Sequence, residues 1–191
     1  MAMHHEMWFP SVIWSAIIHC VDNTKLIEFA YDLRSTSKGR KVSNEGGFQS
    51  DDLFVKDNPL FAPFINHLDE EVFACSQQVG LPQCQLSNLW LNINPKNSYN
   101  TVHNHAGALF SGTYYVQAKE NQGNLYFDRS DCAEYFLPPI QNQVTYYNSS
   151  RAAYAPKTNA LFIFPGWLKH SVTANQTEED RISISFNYVV A

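Results

Sequence analysis

Three histidines in two short segments are the side chains whose types and spacing most clearly suggest a metal site. His103 and His105 are separated by one residue, and His170 ends the segment FPGWLKH. Because side chains alternate along an extended strand, two histidines at this spacing point to the same side and can face one metal ion. Imidazole suits iron, and three ligands leave coordination positions open for other molecules. The residues therefore predict a non-haem iron site that carries out chemistry.

The last strand of the chain adds a candidate anion site. Over residues 181–188 polar and apolar side chains alternate strictly, which predicts a strand with one apolar and one polar face. Arg181 and Ser183 lie on the polar face. If that face lined the inside of a barrel, an unpaired guanidinium would be costly, so a carboxylate held by Arg181 and Ser183 is the expected partner. The alternative is that the polar face is simply the outer, solvated one.

Length and charge exclude several classes of function. A chain of 191 residues without internal repeats predicts one domain, 1–191. A net charge of −5 with 16% charged residues provides no basic surface for nucleic acid. No window has the roughly 18 to 20 apolar residues of a membrane span. The N-terminal residues lack the pattern of a signal peptide, and the four cysteines include no Cys-x-x-Cys pair, so we expect a cytoplasmic protein.

The predicted elements place helices before a β-rich core. We expect a strand over 8–18, a helix capped by Asn23 or Thr24 that ends near 38–39, and a helix entered through Asn58-Pro59 that ends near Gly80. Further strands are predicted at 89–94, 109–116, 124–127, 144–148, 160–164, 171–174 and 181–190. Residues 1–84 would supply a strand and buttressing helices, and residues 85–191 an all-β jelly roll with its site between the sheets. The long connection 128–143 is a candidate lid.

Two long segments resemble a known enzyme superfamily. The run LWLNINPKNSYNTVHNHAGALFSGTYYV (89–116) and the run ALFIFPGWLKHSVTANQTEEDRISISFN (160–187) resemble 2-oxoglutarate and Fe(II)-dependent oxygenases, most closely a group with His-x-His and SGxYY segments. The segment FPGWLKHSV is the most specific element. The resemblance implies a cupin-like double-stranded β-helix, with N-terminal helices flanking the all-β core.

The resemblance also implies a reaction and roles for particular residues. His103, His105 and His170 would hold Fe(II), which 2-oxoglutarate chelates while its far carboxylate pairs with Arg181 and Ser183. Dioxygen would take the remaining position, and a peptide or small-molecule substrate would be hydroxylated as succinate and carbon dioxide form. The inward-facing residues Asn92, Tyr115 and Asn187 are candidates for further hydrogen bonds to the cosubstrate. Apart from substrate, the partner we consider is a second copy of the chain in a homodimer.

One departure from the superfamily leaves alternatives open. The usual metal motif is His-x-Asp with a distal histidine, and His105 stands at the aspartate position. Three neutral imidazoles leave the Fe(II) site with a charge of about +2 in place of about +1. Alternatively, only one of His103 and His105 binds the metal, and Asp128 supplies a carboxylate. Two other classes are a three-histidine cupin enzyme that does not use 2-oxoglutarate and a non-enzymatic jelly-roll binding module.

Overall fold

Two antiparallel β-sheets and two helices make up the computed structural model, which describes residues 3–4, 6–53, 55, 58–132 and 143–191. The six-stranded sheet has the order β1-β9-β6-β11-β4-β3, and the five-stranded sheet has the order β2-β5-β10-β7-β8. The strands are β1 (Trp14–Ile17), β2 (Asn44–Glu45), β3 (Phe48–Gln49), β4 (Cys84–Asn94), β5 (Tyr99–His103), β6 (Phe110–Gln117), β7 (Leu125–Asp128), β8 (Arg151–Tyr154), β9 (Ala160–Pro165), β10 (His170–Val172) and β11 (Arg181–Val190). The helices are α1 (Asn23–Thr36) and α2 (Ala62–Gln78). The predicted all-β core with flanking helices is confirmed.

The six-stranded sheet has a hydrophobic core on each face. On its outer face, Ile182, Ile184 and Phe186 of β11 pack with residues of both helices, including Phe64 and Leu68 of α2. On its inner face, a second cluster joins the two sheets. There the ring of Phe127 lies 4.8 Å from the ring of Phe164, and Tyr154 lies 5.0 Å from Phe162. The polar face of β11 is therefore turned toward the other sheet and not toward open solvent.

The helices begin and end a few residues away from the predicted positions. Asp22, and not Asn23 or Thr24, caps α1, because its carboxylate accepts hydrogen bonds from the backbone N–H groups of Thr24 and Lys25. The helix ends at Thr36, before the predicted 38–39. Asn58 forms a separate turn ahead of α2, with its side chain accepting from the N–H of Leu60. The helix itself starts only at Ala62.

The strand predictions differ from the structure at several positions. The predicted strand over 8–18 covers only Trp14–Ile17, since only those four residues pair with β9. Residues 144–148 form a turn in which Asn148 accepts from the N–H of Thr145, and the strand lies further on, at β8. The short strands β2 and β3 were not predicted, and of the polar strand β5 only an extended segment around His103 was expected. Residues 133–142 of the candidate lid lie outside the described residues.

Residues 43–50 join the two sheets at one side of the space between them. Asn44 pairs with Asn100 of β5, whereas Gln49 pairs with Asn92 of β4 in the other sheet. The chain crosses between these pairings at Gly46-Gly47. This segment therefore closes one wall of the region that holds the candidate site. Neither α1 nor α2, the helices of the described residues, could span a membrane.

Candidate metal centre

The two histidine-bearing segments meet on neighbouring strands in the middle of the five-stranded sheet, where β5 ends and β10 begins. His103 is the last residue of β5 and pairs with His170, the first residue of β10. His105 lies two residues beyond β5, in a loop, and not within a strand as the sequence pattern suggested. Its backbone N–H donates to the carbonyl of Gly166 at 2.8 Å. A Cβ atom on Gly166 would lie 2.3 Å from the carbonyl oxygen of Ala108, so the close approach of the two segments requires glycine there.

The three imidazoles converge on one point. One ligand atom from each of His103, His105 and His170 lies within 4.8 Å of the other two. The ring centroids are 5.2 Å apart for His103 and His105, 4.3 Å for His103 and His170, and 5.0 Å for His105 and His170. This clustering is close enough for the three residues to hold one metal ion between them, with the rings drawing slightly closer around it.

Hydrogen bonds fix which nitrogen of each ring is free. Nδ1 of His103 lies 2.8 Å from the carbonyl oxygen of Thr101, and Nδ1 of His170 lies 2.9 Å from that of Leu168. Nδ1 of His105 lies 2.5 Å from the side-chain oxygen Oδ1 of Asn187. Because these oxygens only accept, the proton of each ring must be on Nδ1, and Nε2 carries no proton and keeps its lone pair. The donor set therefore suits a divalent metal ion.

Burial keeps the imidazoles neutral. Loss of solvent lowers the pKa of His103 and of His105. For His170 burial, followed by the proximity of His103, lowers the pKa to about 3. Neutral imidazole is the form that binds metals, so protons do not compete for the three Nε2 atoms at neutral pH.

Arg181 provides a buried positive charge in the same pocket. Its Nη1 donates to the carbonyl oxygens of Gln122, at 2.7 Å, and Gly123, at 3.4 Å. Its Nε is buried without a partner, and no carboxylate among the described residues forms an ion pair with it. An uncompensated guanidinium that is only 1% exposed is costly, so this side of the pocket fits an anion.

The polar face of β11 connects the arginine to the histidines. In register across the six-stranded sheet, Ser183 lies between Asn92 of β4 and Tyr115 of β6, and Asn187 lies near the histidine end. The pocket lining includes the three histidines, Arg181 and Ser183, together with Asn92 and Tyr115. Other than Arg181, its lining side chains are apolar or neutral and polar.

Sequence reasoning missed one wall of this pocket. Ser43, Gln49 and Asn100 line it, and the hydroxyl of Ser43 lies 3.4 Å from Nε2 of His103. The available signal was Gly46-Gly47, which marks a sharp change of direction between two polar stretches. Two-residue strands are too short to produce a periodic pattern.

Two candidates take positions other than those expected. The carboxylate of Asp128 accepts from Nε of Arg151 at 2.6 Å, and Asp128 is not in the histidine cluster. Asn187 lies behind His105 and not among the residues that line the pocket, and its amide oxygen accepts from Nδ1 of that ring.

The fold and the site together define a jelly-roll protein with a three-histidine centre and an adjoining anion pocket. A family model described as "Putative 2OG-Fe(II) oxygenase" matches residues 88–187. A search of curated proteins found no match. The chain belongs to the 2-oxoglutarate/Fe(II) oxygenase family, so it is a 2-oxoglutarate-dependent oxygenase, and the family uses Fe(II), 2-oxoglutarate and dioxygen.

Solved structures share the fold at low sequence identity. A prolyl-4-hydroxylase from Pseudomonas putida is 12% identical, with a TM-score of 0.67 over 95% of this chain and 94% of that chain. HygX from Streptomyces hygroscopicus, solved with nickel and 2-oxoglutarate, is 12% identical, with a TM-score of 0.64 over 95% and 84%. A prolyl hydroxylase from Trichoplax adhaerens, in complex with a hypoxia inducible factor peptide fragment, is 12% identical, with a TM-score of 0.64 over 92% and 83%. These similarities confirm the double-stranded β-helix.

Proposed function

We propose that this oxygenase hydroxylates a peptide or small molecule, with His103, His105 and His170 holding Fe(II). The observation that carries the proposal is the convergence of the three imidazoles, one ring nitrogen of each within 4.8 Å of the others, in the pocket that also contains the buried Arg181. When bound, Fe(II) and 2-oxoglutarate supply the oxidising chemistry by consuming dioxygen and releasing succinate and carbon dioxide.

The residues of the chain have distinct tasks in this reaction. The three imidazoles would hold the metal, and three protein ligands would leave coordination positions for the cosubstrate and dioxygen. Arg181 offers its unpaired guanidinium edge, and Ser183 offers its hydroxyl, to the far carboxylate of the cosubstrate. Leu125, Phe164 and Val172 line the pocket with apolar surface and exclude water from the reacting atoms.

The proposed substrate class is supported by the pocket lining and by the kinds of protein that share the fold. Two of the similar proteins are prolyl hydroxylases, and a third was solved with hygromycin B bound. The wall formed by Ser43, Gln49 and Asn100 carries no charge, so it suits a hydrogen-bonding, uncharged part of a substrate.

Anaerobic titration of the Fe(II)-loaded protein with 2-oxoglutarate tests the proposal. Chelation of ferrous iron by the ketone and carboxylate of 2-oxoglutarate gives a weak visible charge-transfer band. We expect a saturable band, and succinate on admission of dioxygen. Iron binding without a band would favour a three-histidine cupin that does not use 2-oxoglutarate. Protein that binds no iron would favour a binding module.

A further inference from the structure

His105 differs from the other two histidines in how its ring is held. His103 and His170 donate to backbone carbonyls two residues earlier in their own segments, Thr101 and Leu168. His105 lies in a loop, and its Nδ1 donates instead to the side-chain oxygen of Asn187 on β11. The protonation pattern of this ring therefore depends on a residue that can be changed by mutation.

Asn187 is held in one orientation by three hydrogen bonds. Its oxygen Oδ1 accepts from the hydroxyl of Ser111 at 2.6 Å and from Nδ1 of His105 at 2.5 Å. Its nitrogen Nδ2 donates to Oδ1 of Asn88 at 2.9 Å. Rotating this amide by half a turn would place its N–H group against His105. The ring would then have to accept at Nδ1 and carry its proton on Nε2, where it could not bind a metal.

The carboxylate of Asp52 determines which way the side-chain amides of Asn88 and Asn187 are turned. Nδ2 of Asn88 donates to Oδ1 of Asp52 at 3.2 Å, and Asp52 is also paired with Arg40. An ionised carboxylate can only accept, so Asn88 must present its N–H group to Asp52 and its oxygen to Asn187. Asn187 must then present its nitrogen to Asn88 and its oxygen to His105. Each step fixes the next, from the exposed Asp52 to the imidazole.

We propose that Asn187, oriented by Asn88 and Asp52, is a positioning residue that holds His105 in the Nδ1-protonated tautomer and keeps its Nε2 available to the metal. This inference rests on the proposed role of His105 as a ligand. It also explains why His105 requires a residue that fixes its tautomer, since position 105 is where an aspartate is usual. An aspartate, the usual residue at this position, has two equivalent oxygens and no tautomers, whereas a histidine must be kept in the correct one.

Long-range ¹H–¹⁵N correlation spectra of the metal-free protein measure the tautomer of each histidine directly. We expect His105 to carry its proton on Nδ1 in the wild type and in Asn187→Asp, which keeps an acceptor. We expect Asn187→Leu, which has nearly the same shape but no acceptor, to populate the Nε2-protonated form. Ser111→Ala is the matched control, because it removes the other hydrogen bond to the same oxygen and should leave the tautomer unchanged.

Co(II) titration of the same variants, followed by visible absorption, supplies a second measurement. Loss of an outer hydrogen bond to a ligand typically costs 10- to 100-fold in metal affinity, so we expect a loss of about that size in Asn187→Leu and less than about threefold in Ser111→Ala. An Nε2-protonated His105 in the wild type would overturn the inference without any variant. An unchanged tautomer and affinity in Asn187→Leu would also overturn it. A wild type that binds no Co(II) would instead contradict the proposed metal site, and the tautomer spectra would be unaffected by that failure.

Discussion

Replacing Arg181 by methionine separates binding of the cosubstrate from stability of the fold. The guanidinium donates through Nη1 to backbone carbonyls, while its Nε has no hydrogen-bond partner in the described part of the chain. The free edge, Nε and Nη2, can offer two parallel hydrogen bonds to a carboxylate. Hydrogen bonds to charged groups contribute about 1.5–3 kcal/mol each, so losing two costs about 3–6 kcal/mol, or about 10²- to 10⁴-fold in affinity. Arg181→Met should weaken 2-oxoglutarate binding by that factor.

The same substitution has opposing effects on the metal-free protein. It removes an unpaired buried charge, which favours folding, and it deprives the Gln122 carbonyl of its donor, which disfavours folding. We expect the free energy of unfolding to change by less than about 2 kcal/mol in either direction, since each effect is of the order of 1–3 kcal/mol. Urea unfolding measures this change, and the anaerobic charge-transfer titration measures the affinity.

Arg151→Met is the matched control for Arg181→Met. Arg151 pairs with Asp128 and does not line the pocket, so its loss should leave both metal and 2-oxoglutarate affinities unchanged. An Arg181→Met protein that binds Fe(II) and still binds 2-oxoglutarate with wild-type affinity would refute the assignment of the anion site. Equal losses in both variants would show that the effect is not specific to Arg181.

Further predictions concern the metal ligands and Gly123, which contacts Arg181. His105→Ala should lower Co(II) affinity by about tenfold or more, whereas His105→Asp should retain metal by supplying a carboxylate. Asp128→Asn should leave Co(II) affinity unchanged, because the Asp128 side chain pairs with Arg151; full affinity in His105→Ala would contradict this ligand set. Gly123→Ala should destabilise the fold in urea and weaken 2-oxoglutarate binding, since the added Cβ would lie 2.0 Å from the Thr173 carbonyl oxygen and 2.9 Å from Nη1 of Arg181. Gly80→Ala has a similar positive φ but open space around it, so it should show only backbone strain, about 1 kcal/mol, and normal binding.

The secondary structure was predicted best where polar and apolar residues alternate for a single physical reason. The strict alternation over 181–188 predicted β11 because one of its faces packs against helices and the other faces the pocket. The sequence could not decide whether the polar face met water or a site, since both require polar residues. The opposite sheet, which covers that face, supplied the answer.

The predictions failed for strands that form because of their pairing partners and not because of their local sequence pattern. The segment YNTVH of β5 is polar and short, and it becomes a strand because it lies between β2 and β10. The strands β2 and β3 exist only through pairing with β5 and β4. The role of Asn187 was equally hidden, because its partners His105 and Asn88 are distant in sequence. Spacing indicated candidate ligands, but the hydrogen bonds that orient them depend on the folded structure.

The charges in the pocket indicate how the site and its cosubstrate complement each other. In the usual ligand set a carboxylate offsets one of the two positive charges of the metal, and His105 provides no such compensation. Arg181 adds another positive charge, and no acidic side chain lines the described pocket. With metal bound, the centre would therefore hold about three uncompensated positive charges in a buried space. A dianion that reaches from the metal to Arg181 offsets two of them at once, as 2-oxoglutarate can. The remaining lining groups, such as Ser43, Gln49 and Asn100, are neutral, so we expect them to discriminate among substrates by hydrogen bonding and shape, not by charge.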